Sequence, residues 1–308
     1  MSRRGQAGMA VVVAILLVAL AASTAALMLS QQDLWTRQVE SMSARTQADA
    51  VARAGLEWAR RALVDALKEP DPDAARDAAL SGFANGLLRD VALDITYADP
   101  QALFNLNNVV RADRLSEPDV QVFGRLLVGA GLNPELANAV VDAIDGDSET
   151  SLPGGAEDLD YLAMDPPRRA ANRPLTDPGH LARVKGYTPE AVARLRQFVS
   201  ALPGPTAINV ATAPAGILMA IVNGLDIDAA QRLVESREKT PFTSPEAFRT
   251  RLPEQATLLP GVAIAVASKY VLVVSRARFG GAEVAYQALV GRPGAAQTGV
   301  IWRRQGED

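Results

Sequence analysis

From Met9 to Ser30 the chain reads MAVVVAILLVALAASTAALMLS, with no charge, proline or glycine. At about 1.5 Å per residue such a stretch crosses a hydrocarbon core of about 30 Å as a helix. A soluble helix keeps a polar face, so apolarity on every side predicts a membrane span. Arg3 and Arg4 precede it and hold that end in the cytoplasm, which sends the C-terminal bulk outward. A secretory signal peptide is the rival reading, with small residues around Ala21 to Ala26 as its cleavage site. Against it, the pattern past Ser30 stays helical. Trp35, Val39, Met42, Thr46, Val51, Leu56, Ala59 and Leu63 form an approximate apolar stripe, and Pro70 and Pro72 end the helix.

Val91 to Tyr97 alternates apolar and polar and predicts a strand. Leu103 to Val110 is a strand or turn in which Asn105, Asn107 and Asn108 supply turn chemistry. From Ser116 to Leu252 the pattern is helical. Ser116-Glu117-Pro118, Thr188-Pro189-Glu190 and Thr212-Ala213-Pro214 are start signals. Leu132–Ile144 and Asp228–Arg237 each follow a glycine-leucine turn and hint at repeated helical hairpins. Ala267–Ala277 and Ala282–Val290 are β-rich runs on either side of Phe279-Gly280-Gly281, a hairpin signal, and Val300–Arg303 adds an edge strand. This order predicts an α+β chain: a long helix and an antiparallel sheet, interrupted by an all-α insertion.

Composition narrows the chemistry. Among 308 residues there is no cysteine, which excludes disulfides, cysteine zinc sites and thiol catalysis. His180 is the one histidine, and no G-x-S-x-G elbow, Walker loop or dinucleotide fingerprint occurs, so an enzyme is not expected. The net charge of −4 gives no general reason to bind nucleic acid.

One short region stands out. Asp142, Asp145, Asp147, Glu149, Glu157, Asp158 and Asp160 crowd together with Gly146, Gly154 and Gly155. Clustered carboxylates repel unless protons or a cation neutralise them. Hard oxygen ligands on a turning backbone suit calcium. The expected ligands are Asp145, Asp147, Glu157 and Asp158, with Asp142 and Asp160 as further candidates; a solvated acidic loop is the plain alternative.

Ordered segments along nearly the whole chain carry a resemblance: LFNLNNVV (Leu103–Val110), VVDAIDGDSE (Val140–Glu149), GAEDLDYL (Gly155–Leu162), NRPLTD (Asn172–Asp177), LARVKGYTPE (Leu181–Glu190) and INVATA (Ile208–Ala213). Together with the Gly8-Met9 junction between a basic leader and the apolar helix, they resemble the minor pseudopilin K family of type II secretion. The resemblance implies a pilin-like fold with a large helical insertion. It divides the chain into a leader (1–8), a transmembrane part (9–30), a first pilin part (31–111), the insertion (112–255) and C-terminal strands (256–308). It also implies cleavage by prepilin peptidase between Gly8 and Met9, N-methylation of Met9, and calcium.

By the same resemblance the chain sits in inner-membrane lipid with its bulk in the periplasm, at the pseudopilus tip. Its partners there are two other minor pseudopilins and the major pseudopilin. Pilins usually carry glutamate at the fifth mature position, which here is Val13. The alternative function comes from INVATAPAGILMAIVNGLDIDAAQRLVESRE, which resembles the helix-hairpin-helix pairs of DNA-uptake proteins. Its turn holds Asp226 and Asp228, which repel phosphate, so no nucleic-acid partner is expected.

Overall fold

The computed structural model describes residues 3–66, 91–292 and 299–306. The expected helix stop at Pro70 and Pro72 lies outside these residues. Helix α1 runs from Arg3 to Ala66, a 64-residue rod of about 96 Å. Val11 through Ser43 are exposed throughout, including every residue of the apolar stretch after Ala10. A core helix of this composition would be buried. This one is long and apolar enough to cross a membrane.

The chain divides into two compact units. The first comprises residues 1–96, 274–287 and 304–308. In it the second half of α1 packs through Ala44, Ala48, Ala52, Leu56, Ala59 and Leu63, which are all buried. This bears out Leu56, Ala59 and Leu63 of the expected stripe and corrects its first half. Trp35 is 72% exposed and Val39 and Met42 also face out, because small alanines, not bulky side chains, let the helix approach closely. At Gly55 a Cβ would stand 2.6 Å from Ser275 Oγ and 3.0 Å from Leu93 Cδ1. Tyr286 donates its hydroxyl to Asp49 Oδ1 at 2.6 Å and accepts from Arg53 Nε at 3.0 Å, which fixes the rotation of α1.

Four strands form the main sheet: β1 (Ala92–Ala98), β2 (Tyr270–Phe279), β3 (Ala282–Gly291) and β4 (Gly299–Gln305). Their order is β1-β2-β3-β4, with β1 and β4 at the edges. All four match the sequence pattern. The β2–β3 hairpin turns at Gly280 and Gly281, whose φ values of 52° and 82° suit the left-handed backbone of a two-residue turn.

The second unit comprises residues 97–273 and 288–303. It carries helices α2 (Glu117–Gly129), α3 (Leu136–Ile144), α4 (Asp158–Leu162), α5 (Pro189–Leu195), α6 (Ala215–Ile221), α7 (Ile227–Lys239) and α8 (Pro245–Thr250). Two-residue bridges pair Phe104–Asn105 with Val199–Ser200 and Ile208–Asn209 with Ile264–Ala265, both parallel. The core gathers Phe104, Leu106, Phe123, Leu127, Val140, Leu181, Leu195 and Ile217, with Phe104 and Phe123 stacked at 5.6 Å.

The LFNLNNVV run is a short strand leading into a 3-10 turn (Leu106–Val109) that Asn105 caps by accepting Asn107 N–H at 3.2 Å, and its three asparagines are also buried struts. Asn107 donates to the carbonyls of Leu175 (2.8 Å) and Leu202 (2.9 Å) and accepts from Leu175 N–H at 2.8 Å. Asn105 donates to Gly204 and accepts from Leu202 N–H; Asn108 donates to and accepts from the Thr206 backbone. Side-chain amides thus join segments of chain about 70 to 100 residues apart, beside the short bridge at Asn105.

Start signals fare unevenly. Thr188 caps α5 by accepting from Ala191 N–H. Thr212 does not cap α6, because Asp99 captures its hydroxyl at 2.5 Å and Pro214 takes the cap position.

Candidate metal centre

The acidic loop leaves the C-terminal end of α3 and returns at α4. Asp142, on the last turns of α3, is fully buried and acts as a brace. Its carboxylate accepts from Ser151 N–H at 3.1 Å and Ala156 N–H at 2.7 Å, pulling the loop into a closed turn. Gly155 lies so close beneath that a Cβ there would collide with the Asp142 carboxylate and the Ser151 backbone. Asp145 follows as the residue that ends α3, its N–H bonded to Val141 O. Asp147 accepts Glu149 N–H at 2.8 Å, and its carbonyl accepts from Asn172 Nδ2 at 2.8 Å. Glu157 comes back as the cap residue of α4.

This path brings three carboxylates together. One oxygen from each of Asp145, Asp147 and Glu157 lies within 4.8 Å of the others. Asp145 and Glu157 are buried, and Asp147 is exposed. Asp145 Oδ1 and both carboxylate oxygens of Glu157 are buried and make no hydrogen bond of ordinary geometry, although the Asn172 side chain and the Asp158 backbone act to lower the Glu157 carboxyl. Burial, followed by the charges of Asp147, Asp142 and Glu157, pushes the Asp145 carboxyl up to about 7. Glu157 is raised by burial and then by Asp142; Asp142 is raised by burial, against the pull of its backbone donors.

The other two expected ligands are engaged elsewhere. Asp158 Oδ1 accepts Ala170 N–H at 2.9 Å. Asp160 pairs with Lys185 Nζ at 2.6 Å and accepts Glu157 N–H at 3.3 Å at the start of α4. Lys185 lowers its carboxyl. The converging donors are all hard oxygens, and unpaired buried oxygens of this kind fit a divalent cation such as calcium. Asp145, Asp147 and Glu157 would hold it, and Asp142 would shape the turn from behind.

Gly8 and Met9 lie within α1. Val13 lies on its exposed apolar stretch. The helical hairpin of the DNA alternative forms, with α6 and α7 joined through Gly224 at φ 72°. Its turn is closed from within. Asp226 accepts Ala229 N–H at 2.7 Å at the start of α7, and Arg125 donates to Asn223 Oδ1 and to the Met219 and Val222 carbonyls. A carboxylate thus occupies the helix end where a phosphate would bind.

Relatives decide the family. The description "Type II secretion system (T2SS), protein K" matches residues 102–204 and again 208–274. The type II secretion system protein K of Pseudomonas aeruginosa is 30% identical over 294 residues, covering 90% of this chain and 86% of that one. The chain belongs to the type II secretion system protein K family. The Aeromonas hydrophila member is 27% identical over 286 residues, covering 85% of each chain. The fold is similar to one chain of the crystal structure of the GspK-GspI-GspJ complex from enterotoxigenic Escherichia coli. That likeness has a TM-score of 0.70 at 25% identity and covers 88% of this chain and 100% of that one. The long helix, sheet and helical insertion are therefore the pilin-like fold of this family, and the chain is a minor pseudopilin, a structural component of protein secretion.

Proposed function

We propose that the chain caps a periplasmic pseudopilus and starts its assembly with two other minor pseudopilins, with the major pseudopilin below. The observation that carries this is the division of labour along α1. Its alanine face is buried within its own unit, while Trp35, Val39 and Met42 are left exposed beyond the membrane stretch for neighbouring helices. A relative crystallised as a GspK-GspI-GspJ complex supports partners of that kind. Val13 supports the first position. An acidic residue deep in a bilayer costs about 2.5–3.5 kcal/mol, which a filament subunit recovers by pairing with a neighbour's amine. A valine there needs no subunit above it.

Processing by prepilin peptidase between Gly8 and Met9, followed by methylation of Met9, belongs to the same reading. So do anchoring in inner-membrane lipid and calcium at Asp145, Asp147 and Glu157. The test is co-purification of the full-length chain from detergent with its two candidate partners. Wild type is expected to hold both, and the Trp35→Glu, Met42→Glu double variant to lose them while remaining folded. Equal recovery of both partners by the double variant would overturn the role given to this face.

A further inference from the structure

A second concavity lies on the helical unit, and its charge is opposite to that of the acidic loop. It encloses about 460 Å³. Arg168, Arg169, Arg173 and Arg183 line it together with His180, all within sixteen residues of an acidic chain. Some cations of the chain are paired: Arg53 with Asp49, Arg111 with Asp119, Lys185 with Asp160, Arg278 with Glu283. Among the described residues, none of the four guanidiniums lining this cavity forms an ion pair. All four arginines are exposed, so water screens part of their mutual repulsion, and an anion bound among them relieves the rest.

The wall is held in place before any ligand arrives. Arg168 N–H donates to Tyr161 O and its guanidinium stacks over the Tyr161 ring at 5.3 Å. Ala170 N–H is held by Asp158 and Arg173 N–H by the Ala143 carbonyl. Asn172 reaches the Asp147 carbonyl. Asp158 therefore has a task of its own, as the anchor of the arginine segment. The floor is apolar, with Ala143, Leu175 and Val184.

We propose that this cavity binds a phosphate monoester, its phosphate held by the guanidinium forks and its organic part resting on the apolar floor. Guanidiniums match phosphate oxygens in pairs. A monoester carries about 1.5 to 2 negative charges near neutral pH, which suits several forks better than one carboxylate does. The volume fits one headgroup, since small-ligand sites span about 300–1,000 Å³. A free ester and a phosphorylated lipid headgroup share this chemistry.

The test uses the full-length chain in non-ionic detergent with calcium present. Phenyl phosphate, inorganic phosphate and benzoate are titrated, and vesicles of phosphatidylcholine with and without phosphatidic acid are offered separately. Phenyl phosphate is expected to bind saturably, at least about tenfold tighter than benzoate, and more weakly as salt rises. The Arg169→Gln, Arg173→Gln variant is expected to lose at least about tenfold in affinity with unchanged thermal unfolding, whereas Arg232→Gln loses nothing. Displacement of phenyl phosphate by phosphatidic acid vesicles assigns the site to a lipid headgroup; displacement by inorganic phosphate alone assigns it to a free ester. Equal binding by the double variant, or tighter binding of an oligoglutamate peptide than of phenyl phosphate, would overturn the proposal.

Discussion

Two clusters of buried polar groups sit in the same helical unit and are finished to different degrees. Around Asn105, Asn107 and Asn108 both ends of each amide find backbone partners, from Leu175 to Thr206. Around Asp145 and Glu157, three carboxylate oxygens are buried without a hydrogen bond of ordinary geometry. Burying a polar group without a partner costs free energy, and burying a charge costs more. The asparagine cluster is therefore complete as a piece of architecture. The acidic cluster is complete only with a proton or a cation.

The largest expected effect lies on the finished side. Asn107→Ala removes three hydrogen bonds and orphans the Leu175 N–H and the Leu175 and Leu202 carbonyls. It should cost roughly 3 kcal/mol or more in urea unfolding, and calcium should not restore it. Restoration by calcium would erase the distinction between the clusters.

The next effect follows from pH. The folded Asp145 carboxyl sits at about 7 against an ordinary value of 3.8, so between those values the folded state binds more protons than the unfolded state. In chelator, stability should therefore rise as pH falls from about 7 to about 5, by about 2 kcal/mol, opposite to a salt-bridged carboxylate. Asp142 and Glu157 shift in the same direction. Asp160 is lowered by Lys185, so its contribution is lost only below the ordinary carboxylate value and lies outside this window. Saturating calcium should flatten the slope. A rise of stability with pH in chelator would contradict the geometry of the loop.

A slightly smaller effect comes from neutralising the loop. Asp145→Asn with Glu157→Gln should stabilise the chain by on the order of 1–2 kcal/mol in chelator, and leave it less stable than wild type in calcium. Amide hydrogen exchange over residues 142–162 reads this without assuming that the two units unfold together. The smallest effect belongs to the apolar packing of α1. Gly55→Ala should cost about 1 kcal/mol, because the Ser275 hydroxyl, 2.6 Å from the new Cβ, must swing aside and Leu93 must give by a few tenths of an ångström.

The sequence made some of this legible and hid the rest for definite reasons. The length of α1 followed from twenty-two uncharged residues leading into a helical pattern, and the β2–β3 hairpin from a diglycine. The packing face of α1 followed only in part: Leu56, Ala59 and Leu63 pack as expected, but the first half of the stripe does not. Hydrophobicity favours Trp35 and Met42, whereas close approach selects Ala44, Ala48 and Ala52. The acidic loop was visible as a cluster, but composition cannot tell a ligand from a brace or a cap. Lys185 claims Asp160, and Ala170 N–H claims Asp158, both from segments that arrive later in the chain. The turn chemistry of the asparagines was legible, and Asn105 does cap a turn; their burial as struts was hinted at only by the Leu, Phe and Val around them.

The most direct measurement is thermal unfolding of the full-length chain in calcium, in magnesium and in chelator. A cation that binds only the folded form at 100 times its dissociation constant adds about 2.7 kcal/mol. Calcium should therefore raise the unfolding temperature of the helical unit clearly above chelator. Magnesium should do so weakly, since it sheds water reluctantly and demands a tight octahedral shell. The same unfolding temperature in calcium and in chelator would contradict the account and leave Asp145, Asp147 and Glu157 as an acidic loop that holds no cation.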